Sequence, residues 1–146
     1  MPKSKVDWVI HCCANGAKCD VCGDVENHFP KYICNAHTHG MERYNHMDFQ
    51  MVIYAKHDEI MRILNTMGLM VQSGKRFKSG DLISGIYEDC DVRLVEVDET
   101  NRRVLRVVIP DGKNRWPEDP ECAYPYNMQV FGTDFLYMLG GCKNES

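Results

Sequence analysis

Cys19 and Cys22 stand two residues apart, and after eleven further residues come Cys34 and, three on, His37. This Cys-x2-Cys, x11, Cys-x2-His arrangement has the spacing of a zinc site. Two thiolates so close in sequence can grip one ion because the backbone turns through a knuckle. Gly23, directly after Cys22, relieves that turn, and the second pair completes a tetrahedron. The expected metal ligands are therefore Cys19, Cys22, Cys34 and His37, with zinc as the cofactor and Cys12, Cys13 and His28 as replacements. The same spacing also fits reduced, unliganded thiols or a disulfide. A redox role fits less well, because the pair is not set between a strand and a helix.

A second constellation overlaps the first. His37, His39 and His46, three of the six histidines, lie within ten residues, with Arg43 and Asp48 among and after them. On a strand His37 and His39 point to one face, and a turn at Gly40 would bring Arg43 and His46 back beside them. Imidazoles ligate metals or exchange protons near neutral pH, and an arginine holds phosphate or carboxylate by paired hydrogen bonds. His37, His39, Arg43, His46 and Asp48 are thus the expected ligand-binding set. Taken singly, each histidine fits a structural role bonding loop backbone just as well.

The two readings compete for His37. In an extended strand Cys34 and His37 have opposite parity, so one metal takes both only if residues 34–37 form a turn.

Other polar groups carry weaker signals. Lys75, Arg76 and Lys78 flank Phe77 between glycines, and Arg102, Arg103 and Arg106 form a further basic group. Neither matches a phosphate-binding loop, so both read as solvated turn charges. Asp111, Arg115 and Trp116 read as structural, and Cys90 has no base beside it in sequence.

The elements that must position these groups follow from periodicity. Residues 32–39 and the alternation around Phe49, Met51 and Ile53 predict two strands. Ile60, Ile63, Leu64, Met67 and Val71 repeat at helical spacing and predict a helix over 58–71, with Asp58 and Glu59 at its positive end and Gly74 beyond its end. Residues 82–87 predict a brief extended segment, and 92–97 with 103–109 a hairpin. Four prolines between 110 and 125 predict irregular backbone; 127–131 read as a strand, and Thr133 as the cap of a short helix through Leu139. The class is α+β: a single compact domain over 32–146, with a small antiparallel sheet and one main helix. Residues 1–31 lack an apolar period, so they either wrap against that domain or are fastened by a metal.

Composition agrees with one folded domain. The chain has 146 residues, 44% hydrophobic and 26% charged, with a net charge of −4 that argues against a non-specific duplex binder. No apolar run approaches a membrane span and no leader is evident, so the cytosol is the expected compartment, where clustered thiols serve metals more often than disulfides.

Taken in order, His37-Thr38-His39-Gly40-Met41, Asn45-His46-Met47-Asp48, Leu64-Asn65, Gly74-x-x-Phe77-x-x-Gly80-Asp81, Pro110-Asp111 and Arg115-Trp116-Pro117 resemble a bacterial family catalogued as domain of unknown function 4262. The resemblance spans about residues 32–130. Asn45 and Met47 stand where that family more commonly has Gly and Pro, while His46 and Asp48 keep the chemical character. It implies a small α+β bacterial or phage-borne cytosolic protein and carries no reaction with it.

Three functions are compatible with these residues. The first is a zinc-binding protein that holds a small anionic, nucleotide-like ligand at its His/Arg site. The second is a metal-dependent hydrolase using the same histidines, with a metal-activated water. The third is a protein-interaction module, such as a phage-encoded inhibitor, docking through the N-terminal segment and the proline-rich stretch.

Overall fold

The computed structural model describes residues 6–13, 32–54, 56–99, 102–133, 135, 136 and 138. Among these residues six strands form one sheet: β1 (Val9–Cys13), β2 (Ile33–His39), β3 (Asp48–Ile53), β4 (Leu82–Ile83), β5 (Val92–Asp98) and β6 (Arg103–Val108). Their order is β1-β2-β3-β6-β5-β4, antiparallel except where β3 runs parallel to β6. The class is α+β, and the sheet is larger than the small one expected, because residues within the first 31 add a strand to its edge.

Helix α1 (His57–Gln72) lies across one face. Its stripe of Ile60, Ile63, Leu64, Met67 and Val71 is buried against Cys34, Ala36, Phe49, Met51, Leu94, Leu105 and Val107. The helix ends where Gly74 turns at φ +115, a conformation glycine adopts without a Cβ clash. Trp8, 5% exposed, joins this core and its indole N–H donates to Asn65 Oδ1 at 3.0 Å. At residues 6–13, then, apolar burial and the ladder with β2 order the chain.

The opposite face carries a smaller apolar cluster, Ile33, Val52, Ile53 and Leu136, with polar residues between. The strand expected over 127–131 is instead a short 3-10 turn, Tyr126–Met128. The Gln129 side chain does what that strand's backbone would have done: its Oε1 accepts from Ile109 N–H at 2.8 Å and its Nε2 donates to Ile109 C=O at 2.6 Å. The extended segment expected over 82–87 is reduced to the two residues of β4. Thr133 lies inside the terminal helix rather than capping it, with its hydroxyl bonded to Glu99 at 2.6 Å. No helix among the described residues is long and apolar enough to cross a membrane.

Candidate functional site

Strand alternation sorts the expected residues at once. β2 runs as strand from Ile33, with a register shift against β3 between Ile33 and Ala36; Cys34 is buried in the main core with α1, its thiol 3.9 Å from the Met51 carbonyl oxygen, while His37 lies outside that core, bonded to Asn35. The two therefore do not converge on one ion, which corrects the pairing expected from spacing. Cys19, Cys22 and His28 lie outside the described residues. Cys12 and Cys13 sit in β1, in register with Ala36 and Asn35.

The other set also divides. His37 and His39 share a face as strand parity requires, and β1 lays His11 directly opposite His37. The three rings form a compact cluster. Ring centroids lie 4.7 Å apart for His37 and His39, 4.9 Å for His11 and His39, and 6.0 Å for His11 and His37. His37 is buried and His39 partly so. Burial pushes the His37 imidazolium pKa down to about 3, helped by His39, Arg102 and His11; burial, Arg102 and His11 also lower His39, against Asp48 and Glu42. Both rings are thus neutral at pH 7 and carry lone pairs.

Asp48 stands beside this cluster without entering it. Its carboxylate accepts from the Thr38 hydroxyl at 2.8 Å, from Met41 N–H at 3.0 Å and from Arg102 at 2.6 Å. The Arg102 guanidinium also donates to the Thr38 carbonyl at 3.1 Å.

Arg43 and His46 belong elsewhere, contrary to expectation. Arg43 pairs with Asp7 at 3.2 Å on the surface. His46 packs on Phe49 and Phe77, its Nδ1–H donating to Met47 C=O at 2.8 Å and its Nε2 accepting from Phe77 N–H at 3.1 Å. Both nitrogens are thereby used structurally. The basic residues of the 74–81 loop serve their own turn, Arg76 bonding Val71 and Lys75 carbonyls and Lys78 pairing with Asp81.

Behind His37 lies a buried polar layer. Fully buried Arg106 donates to Gln50 Oε1 at 2.8 Å, to Glu99 at 2.7 Å and to the carbonyls of Gln129 and Phe131. It is thus no solvated turn charge. Burial draws its pKa down to about 10, opposed by Glu99, so it stays charged at neutral pH. Gln50 Nε2 bridges Glu99 at 3.1 Å and Asn35 Oδ1 at 3.0 Å. Asn35 Oδ1 is also 3.0 Å from His37 Nδ1.

The three histidine rings meet mostly edge to face. Among the described residues, no group of three or more His, Cys, Asp or Glu side chains is arranged to hold a metal ion. A groove of about 900 Å3 is lined by Arg62, Tyr87, Cys90 and their neighbours, and no histidine lines it. Burial, then Asp89 and Asp91, raises the Cys90 thiol pKa, which disfavours the nucleophilic thiolate.

No family model, curated protein or solved structure matches the chain.

Proposed function

We propose that this protein binds a divalent transition metal, zinc by ligand type, through His11, His37 and His39, and that the ion presents a small anionic ligand with an open position. The observation that supports this reading is the trio of imidazoles on two adjacent strands, with centroids 4.7 to 6.0 Å apart and two of the rings held neutral. A nitrogen-bound zinc lies roughly 3 Å from each ring centroid, so tetrahedral ligation places centroids about 5 Å apart. The trio already has that spacing. Turning His11 and His39 about their side-chain bonds, a broad two-fold torsion, is the remaining adjustment. Among the described residues, the buried Nε2 of His11 has no hydrogen-bond partner, an arrangement that coordination would relieve.

Three neutral ligands leave the ion its full double charge, which is the physical basis for an anionic fourth ligand. The Arg102 guanidinium beside the cluster adds to that field, although its hydrogen bonds go to Asp48 and Thr38. Four thiolate-type ligands would quench the charge instead.

Elemental analysis and Co2+ titration of wild type beside His11→Ala, His37→Ala, His39→Ala and Cys19→Ser variants test the proposal. The expected result is near-stoichiometric metal in wild type and Cys19→Ser, and its loss in each histidine variant. Zinc at a hundredfold excess over its Kd should add about 2.7 kcal/mol of stability. Metal retained in all three histidine variants, or lost only in Cys19→Ser, overturns it.

A further inference from the structure

We propose that Asn35 is a positioning residue that fixes which nitrogen of His37 offers a lone pair to the histidine cluster, its own orientation being imposed by the buried Arg106 through Gln50. The inference deepens the metal reading above and rests on it for its consequence.

The argument is one of donors and acceptors. An arginine guanidinium only donates. Arg106 Nε meets Gln50 at 2.8 Å, so the atom facing it must be the amide oxygen, Oε1. That leaves Gln50 its NH2 group for its other two contacts. One is the Glu99 carboxylate at 3.1 Å, which only accepts when ionised and is itself paired with Arg106 at 2.7 Å. The other is Asn35 at 3.0 Å, which must therefore present its oxygen, Oδ1. The same Oδ1 lies 3.0 Å from His37 Nδ1. An amide oxygen can be bonded there only if Nδ1 carries the hydrogen. Neutral His37 is thus the Nδ1–H tautomer, and Nε2 is its lone-pair nitrogen.

Four side chains in a row, all buried or nearly so, leave no alternative orientation without setting donor against donor or acceptor against acceptor. Outer partners of this kind orient ligating imidazoles and raise their basicity, and their loss costs about 10- to 100-fold in metal affinity. His37 is then the fixed member of the trio.

The tautomer is readable in the metal-free protein by long-range 15N–1H NMR of the histidine rings, with His37 assigned from its absence in His37→Gln. The expected signature is a protonated Nδ1 and a lone-pair Nε2. The companion measurement is Co2+ affinity of wild type, Asn35→Leu and Asn35→Asp. Leucine removes the acceptor and should weaken binding about 10- to 100-fold while releasing the tautomer. Aspartate keeps an acceptor for both neighbours and should rescue both readouts. A wild type carrying its proton on Nε2, or an Asn35→Leu protein with unchanged tautomer and affinity, overturns the role of Asn35. So does an Asn35→Asp protein as impaired as Asn35→Leu. A wild type with the expected tautomer that takes up no cobalt overturns the metal reading, and with it the consequence for affinity, while the orientation argument stands.

Discussion

The indole of Trp8 occupies the space a Cβ on Gly68 would need: an added methyl would sit 2.4 Å from Trp8 Cζ2 and 2.6 Å from Cε2. Glycine in a helix interior costs about 1 kcal/mol relative to alanine, so its presence in the last third of α1 is a local loss. It admits the ring that pins the start of β1 to the core. Gly68→Ala should therefore destabilise despite its better helix propensity, by about 1–2 kcal/mol, because overpacking costs about 1–3 kcal/mol. In a Trp8→Ala background the same change should stabilise. Urea melts of the four proteins check this reversal of sign; the same sign in both backgrounds would refute the contact as its cause.

His46 and His39 are close in sequence, and the proposed metal site uses only His39. His46→Ala removes ring packing on Phe49 and Phe77 and leaves the Phe77 amide without its acceptor, so a loss of about 1–3 kcal/mol in stability is expected with no change in Co2+ affinity. His39→Ala should do the reverse. Parallel melts and titrations decide, and a His46→Ala protein that folds normally but loses metal would return His46 to the site.

Much of this frame was legible in the sequence because it is periodic. The apolar repeat of α1 and the β-branched runs of β5 and β6 set their boundaries to within a residue or two. β1 was not legible: five residues holding two cysteines and a histidine form a strand only because β2 pairs with them from a distance. His11 was missed with it, since only the ladder reveals that it faces His37. Arg106 and Gln50 carried a faint signal, each lying inside a strand apolar on both sides. The burial of Gln50 and Arg106 could have been read from Phe49 and Met51, and from Leu105 and Val107. The Cys-x2-His spacing misled because residues 34–37 run as strand instead of turning, which leaves Cys34 in the main core and His37 outside it.

Arg106 and Glu99 form an ion pair at 2.7 Å in which Arg106 is fully buried. Removing one member of such a pair strands the other charge, so Arg106→Met should cost about 3–5 kcal/mol. Removing both charges, as Arg106→Met with Glu99→Gln, should cost less than the two single changes summed. A double-mutant cycle by chemical denaturation measures this, and strict additivity would show that the pair does not act as a unit.

Asp111 closes the turn after β6. Its carboxylate accepts from the backbone N–H groups of Lys113, Arg115 and Ala123, each at 2.9 Å, and from the Arg115 side chain at 2.8 Å. Burial alone would raise its pKa, yet these four donors outweigh it and hold the carboxyl well below the usual carboxylate range. In the unfolded chain the group titrates near its ordinary value of about 4. Its stabilising contribution is therefore fully present above that pH and fades as acid takes the protein down toward the lower folded-state value. An Asp111→Asn protein keeps one acceptor and loses the charge, so it should be less stable than wild type by a constant margin between pH 5 and pH 7, narrowing steadily below pH 4. Urea midpoints across that range measure the margin. A difference that stays the same down to pH 2.5 would mean the ionised carboxylate is not what closes the turn.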